Sequence, residues 1–462
     1  MKRSLLIKPT MNEQYPTVSY GKGIYLYDNT GKRYIDGSSG AVTASLGHGV
    51  EEIIKSMQNQ ANKVSFVYRS QFTSEPAERL AEKLNKLVDA NEDYWSFFVN
   101  SGSEATETAM KVAIQYWQEQ GNFKKQRILS RWVSYHGITL GALSMSGHVN
   151  RRERFVSLLE DYPSVTAPYC YRCPFDKTYP SCQLVCASEV EAAIKRIGAD
   201  HIAAFIAEPI IGAAGGVIVP PDGYYQKVRE ICDRYNILFI ADEVMTGIGR
   251  TGKMFGLDHW GVKADIIALG KGMSAGFTPI AATLVSEKVM KPILDGSNSI
   301  MSGHTYSANP QSAASALAVL DYIENHKLVD KVKEHGKYLL KRLREETANF
   351  DIIGDVRGKG LMIGVEFVSD NKIKQSFQCN GAVTNKIVKK AREKGLLIYP
   401  SSAGHDGVGG DAIIISPPFI ILKDEIEELV SIFKEVVSEI QSELRLTGGT
   451  DHEATNAKEE DK

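Results

Sequence analysis

No stretch of the 462 residues is apolar for long enough to span a bilayer, so nothing here reads as a membrane helix. Neither sign of charge prevails: 54 basic against 56 acidic side chains leave a formal net charge of -2, with no field to draw nucleic acid or an anionic membrane. Basic stretches such as 386–394 alternate with apolar residues and read as solvated helix faces. Near the N-terminus, Leu5-Leu6-Ile7 is too short for a secretory core and Lys8-Pro9 interrupts it. A cytoplasmic location is therefore expected, with the six cysteines reduced unless they hold a metal. The absence of a repeat of about 20–50 residues argues against solenoids and propellers. The ten histidines show no His-Glu-x-x-His or similar spacing, so no catalytic metal is indicated.

What is present is an ordinary globular composition, 43% hydrophobic, in a chain long enough for two or three domains. The central region alternates short β-branched runs with helical patterns, which predicts a parallel sheet covered by helices. Strands are expected over 95–99, 203–207, 237–241, 266–269 and 281–285, and a helix over 104–118. Ser74 ahead of Pro76 caps a further helix reaching about Leu87. Beyond about Asp330 the pattern becomes that of a smaller α+β unit: a helix through Leu343, an extended stretch over 361–368, a helix over 383–394, a strand over 413–416 and a last helix over 423–444. Near the N-terminus, 23–27 and 33–36 form a hairpin turning at 28–32. The end, 448–462, lacks apolar periodicity and reads as disordered.

Three strand ends carry residues suited to chemistry. After 97–99 comes Asn-Ser-Gly-Ser-Glu-Ala at 100–105, a small-residue turn opening a helix. Free backbone N–H groups and the macrodipole suit a phosphate there, and a capped helix with nothing bound is an equal alternative. The run 237–241 leads into Asp242 and Glu243 at the end of a strand, the edge that faces the ligand crevice in parallel sheets. Asp242 there could hold a protonated ring nitrogen, or simply cap the next helix. The strand 266–269 leads into Gly270-Lys271-Gly272. Flanking glycines permit close approach, and a partly dry amine has a lowered pKa and becomes a nucleophile toward carbonyls; a surface-turn lysine is the alternative. Residues 247–253 match the first part of a phosphate-binding Walker loop, but Met254 stands where a hydroxyl must hold magnesium, and Asp242 and Glu243 add negative charge. Nucleotide binding is rejected. No Gly-x-Gly-x-x-Gly follows a first strand, so a dinucleotide fold lacks support as well.

Six stretches in this order resemble class III aminotransferases of the fold-type I pyridoxal-phosphate superfamily: 100–105, Tyr-His-Gly at 135–137, Ala-Glu-Pro at 207–209, Ala-Asp-Glu-Val at 241–244, Leu-Gly-Lys-Gly at 269–272 and Gly-His-Thr-Tyr-Ser at 303–307. The likeness runs from about Tyr20 to the final helix, nearest the ω-amino acid/amine:pyruvate branch. It implies an α/β fold: a large domain over 66–329 with a mixed, mostly parallel sheet between helices, and a smaller α+β domain over 330–446 against which the segment 1–65 packs, leaving 447–462 as a disordered tail. It implies pyridoxal 5′-phosphate as cofactor. Lys271 would carry it as a Schiff base and shuttle the proton between Cα and C4′. Asp242 would keep the ring nitrogen protonated, Gly102 and Ser103 would bind the phosphate, Tyr135 and Val244 would flank the ring, and Glu208 would line the pocket. Thr305 would reach the phosphate of a neighbouring subunit, which implies a homodimer with shared active sites, possibly paired into tetramers. Tyr20, Tyr68 and Arg69 fall where such enzymes line the substrate mouth.

The departures bear on substrate. Met245 follows Asp-Glu-Val where ornithine- and 4-aminobutyrate-type members carry Gln, Ile414 stands where they place an Arg for 2-oxoglutarate, and Gly409 stands where amine:pyruvate enzymes often carry a mobile Arg. A pocket without a fixed cation favours pyruvate over a diacid, whose second carboxylate would be buried unpaired. The expected reaction is therefore a ping-pong transfer from an amine or a β- or ω-amino acid to a small keto acid, pyruvate. The alternatives are another reaction of the same class (aminomutase, racemase or decarboxylase) or a transaminase that uses 2-oxoglutarate. Four thiols, Cys170, Cys173, Cys182 and Cys186, crowd into residues 170–186. Their spacing admits structural zinc, and small apolar packing in a tight loop is the competing and preferred reading. Cys232 and Cys379 stand alone and read as packing residues.

Overall fold

The computed structural model describes residues 5–11, 13–377, 381–404 and 409–456, with side chains as far as residue 446; Cys379 lies outside the described residues. Its centre is a seven-stranded sheet in the spatial order Tyr94–Val99, Ala281–Ser286, Ile266–Leu269, Leu238–Asp242, Ile202–Ala207, Arg127–Arg131, Ser164–Val165. From Ile266–Leu269 onward the neighbours run parallel, while Ala281–Ser286 is antiparallel to both of its partners. The sheet is thus mixed and largely parallel. Every residue of its four middle strands is buried, which is why they read as unbroken apolar runs rather than alternating ones. Arg127–Arg131 escapes that reading because charged residues bound it. The Arg131 guanidinium is nevertheless fully inside, donating to Glu208 O at 2.6 Å and Tyr225 Oη at 3.1 Å.

Two four-stranded sheets flank this core. One is antiparallel: Ile353–Lys359, Met362–Phe367, Asp411–Ile415 and Tyr399–Ser402. The other contains the expected hairpin, found as Tyr25–Asp28 and Arg33–Asp36, preceded by Val18–Lys22. Asp28 closes its turn by accepting from Thr30 N at 2.9 Å and Lys32 N at 3.0 Å. Leu396–Leu397 completes this sheet, parallel to Arg33–Asp36, so the two ends of the chain share one set of hydrogen bonds. The last helix runs Lys423–Asn456, past the residue 444 where the apolar pattern stops. Residues 447–456 thus belong to this helix rather than to an irregular tail. Residues 457–462 lie outside the described residues.

The Walker-like turn is no open cradle. Its Arg250 is 1% exposed and donates to Leu361 O, Pro417 O, Ser39 Oγ and Ser45 Oγ at 3.1, 2.7, 3.3 and 3.2 Å, tying three distant segments together. Burial without a paired carboxylate pulls its pKa down to about 9. No helix among the described residues is long and apolar enough to cross a membrane.

Candidate active site

Parallel strands end at a common edge, and three of them deliver side chains there. Leu238–Asp242 ends on Asp242, Ile202–Ala207 is followed at once by Glu208, and Ile266–Leu269 leads through Gly270 to Lys271. Together with Gly102, Ser103, Tyr135, His136, Gly137, Val244 and Met245 they line one cavity of about 160 Å³.

Lys271 is half-buried in the cavity wall, and burial pulls its pKa down to about 8, against the opposing pull of Asp242 and Glu208. Its backbone sits at φ 40, a left-handed value that costs a side-chain-bearing residue energy and aims the lysine off the strand end. Asp242 is 4% exposed. Its Oδ2 lies 2.8 Å from His136 Nδ1, and its Oδ1 accepts from Val244 N at 3.1 Å. The other ring nitrogen of His136, Nε2, is buried without a partner among the described residues. The next acid faces elsewhere: Glu243 accepts from Gly256 N at 2.8 Å and Leu257 N at 3.0 Å, and burial pushes it up to about 7. Of the two adjacent acids, alternation of the strand turns Asp242 toward the cavity and Glu243 away.

Glu208 accepts from Tyr135 N and from Gly212 N, each at 2.9 Å, and burial raises its pKa. Its carboxylate therefore fixes the position of the Tyr135 backbone. On the opposite side, the helix Gly102–Glu119 begins with Ser101 as its cap, whose Oγ accepts from Glu104 N at 3.2 Å. This leaves the first amides of the helix directed outward at the positive end of the macrodipole. Ser103 Oγ accepts from Ile138 N at 3.0 Å, so its proton is free to be donated. A Cβ on Gly102 would come within 2.8 Å of Val244 Cγ1, and one on Gly137 within 2.5 Å of Ser103 Oγ, so both glycines keep the space open.

Seven residues singled out in the sequence thus converge: Gly102, Ser103, Tyr135, Glu208, Asp242, Val244 and Lys271. Thr305 does not line this cavity and is exposed. Tyr20 and Tyr68 are 56% and 49% exposed, Tyr20 stacking on Tyr27 with centroids 4.5 Å apart. Arg69 is occupied, donating to Ser302 O at 2.8 Å and lying 5.0 Å over the Phe97 ring. The residue that sequence reasoning missed is His136. It stood inside the quoted Tyr-His-Gly triplet, and its pairing with an acid more than a hundred positions away left no local mark.

The cysteine segment behaves differently. Among the described residues no group of three or more His, Cys, Asp or Glu is placed to hold a metal. Cys170 is exposed, Cys173 and Cys182 are half-buried, and Cys186 is buried, its thiol pushed up to about 12 by that burial. The zinc alternative therefore has no assembled donor set among the described residues, even though the Cys170 thiol lies within electrostatic reach of Cys173 and Cys182.

Residues 9–437 match the family described as aminotransferase class-III. The aminotransferase YodT of Bacillus subtilis (strain 168) is 54% identical over 442 residues, covering 96% of this chain and 99% of its own. The putrescine–pyruvate aminotransferase of Pseudomonas aeruginosa is 32% identical, covering 91% and 90%. Among solved structures, a PLP-bound amine transaminase from an uncultivated Pseudomonas species is similar at a TM-score of 0.88 with 34% identity, covering 95% of this chain and 98% of that one.

Proposed function

The chain belongs to the class III aminotransferases, and we propose that it transfers an amino group from an amine or a β- or ω-amino acid to pyruvate, in a ping-pong cycle, using pyridoxal 5′-phosphate held by Lys271. The observation that carries this reading is the meeting, in one cavity, of an amine at lowered pKa, a paired buried carboxylate and the open start of an 18-residue helix. The donor set fits the cofactor. A helix start bearing a free hydroxyl suits a phosphate, Asp242 suits a pyridine nitrogen, Lys271 suits an aldehyde, and the glycines leave room for the group. When bound, the cofactor supplies an electron sink for the carbanion formed at the substrate's Cα.

The chain's own residues do the rest. Lys271, its pKa pulled down to about 8, takes and returns the substrate proton. Asp242, with Oδ2 2.8 Å from His136 Nδ1, presents to the cavity a carboxylate beside which a cationic nitrogen is favoured. Tyr135 and Val244 form two walls of the cavity, and Glu208 locks the Tyr135 wall through its backbone. Pyruvate is favoured because Ile414 is fully buried in the C-terminal sheet and offers no cation to a second carboxylate. Similarity to a putrescine–pyruvate aminotransferase points the same way. Thr305, exposed beside the exposed Met301 and Tyr306, is available to a second copy, and we assign a homodimer with Thr305 reaching the partner's phosphate. The test is an absorbance-monitored half-reaction of the holoenzyme with a panel of amines and ω-amino acids, followed by return with either keto acid. Regeneration by pyruvate is expected, and faster return with 2-oxoglutarate across the panel would overturn the acceptor.

A further inference from the structure

The charges of two guanidiniums, Arg151 and Arg250, reach the Lys271 amine. Arg250 is spent: it is buried and all its partners are internal. Nearby arginines are committed too, with Arg152 Nη1 donating to Leu143 O, Ser144 O and Ser146 O, and Arg69 to Ser302 O. Arg151, at the end of the short helix Val149–Arg152, is exposed and has no ion pair or side-chain hydrogen bond among the described residues. Its guanidinium carbon lies 4.7 Å from the centroid of the Tyr135 ring, and Tyr135 is a wall of the cavity. The other ring against Tyr135, His148 at 6.0 Å, is no competing cation, because burial pulls it down to about 4.

We propose that Arg151 is the specificity-determining cation of this site, taking the carboxylate of acid-bearing substrates at the rim above Tyr135; this rests on the transamination reading above. Apart from Lys271, the residues that line the cavity include no lysine or arginine, so a substrate acid must find its cation outside them. A guanidinium presents a planar fork that pairs both oxygens of a carboxylate. The guanidinium lies over the ring of Tyr135, a cavity wall, with no side-chain hydrogen bond of its own among the described residues. A rim position also admits carboxylates at different distances from the reacting carbon, which suits both a keto acid and an ω-amino acid.

The test compares Arg151→Gln and Arg151→Lys holoenzymes with the parent, using pyruvate against 1-phenylethylamine as acid-bearing and acid-free partners. The expected result is an acid-to-amine ratio of kcat/KM that falls about ten- to a hundred-fold in Arg151→Gln, mainly through KM, with part of it recovered in Arg151→Lys. Calorimetric titration with propionate should show a matching rise in Kd. Equal losses for both partners, an unchanged ratio, or a weakened cofactor Kd as the sole effect would each overturn the assignment. A parent enzyme that converts no amine or keto acid sinks the transaminase reading instead, and the propionate titration then still decides whether Arg151 binds carboxylates.

Discussion

The Lys271 cavity and the cysteine segment 170–186 are opposites. In the sequence the thiols crowd together, while the cavity residues are spread from Gly102 to Lys271. In space the spread residues meet and the crowded ones do not form a donor group among the described residues. The reason is the sheet. Parallel strands separated by helices all release their ends at one edge, so residues far apart in sequence share a crevice. A short loop has no such device. Its cysteines range from the exposed Cys170 to the buried Cys186, whose thiol is pushed up to about 12.

The widest gap between the regions should come from substitution. Lys271→Ala is expected to lower kcat by about a thousand-fold or more, through loss of the proton carrier and of the covalent hold on the cofactor. Cys173→Ser should stay within about twofold in the same steady-state assay, and a comparable loss there would break the contrast. A second test uses pH. Because burial depresses the Lys271 pKa to about 8, the neutral amine accumulates as pH rises through that value. The rate at which apoenzyme captures added cofactor should climb to a plateau with a midpoint near about 8, well below the ordinary lysine value of about 10.4. Over the same range alkylation of Cys186 should stay slow, its thiol remaining protonated. Next in size is His136→Ala, which strips Asp242 of its ring partner and should lower kcat/KM about ten-fold or more; an unchanged value would mean that Asp242 needs no support. The smallest effect belongs to Cys186→Ala, expected to cost about 1 kcal/mol in a denaturant titration by removing a buried sulfur. A loss several times larger, with stoichiometric zinc in the parent, would revive the metal reading.

Legibility varied with the kind of signal. Apolar runs marked the middle strands to within a residue or two, as with 266–269, because full burial on both faces demands such runs. The strand Arg127–Arg131 was illegible, since a buried arginine looks like a surface one until Glu208 O and Tyr225 Oη are seen beside it. The short Leu396–Leu397 has too few residues to carry a pattern and is a strand only because Arg33–Asp36 accepts it. In the cavity, Gly102, Asp242 and Lys271 were legible from their place just beyond strand ends. Arg151 gave no local sign, because its meaning lies in the Tyr135 ring beneath it.

The sequence by itself determined the middle strands of the central sheet and which residues stand at their ends, because burial and turn chemistry act over a few neighbouring positions. It also carried the six motifs that mark the family, now matched over residues 9–437. Only the tertiary structure decided that Asp242 faces the cavity while Glu243 turns to Gly256 and Leu257, that His136 stands behind Asp242, and that the Walker-like arginine is buried while Arg151 is free. Those outcomes depend on which groups meet across the sheet edge and which are shut from water. Hydrogen bonding, burial and pKa are properties of that shared environment, and no local stretch of residues encodes them.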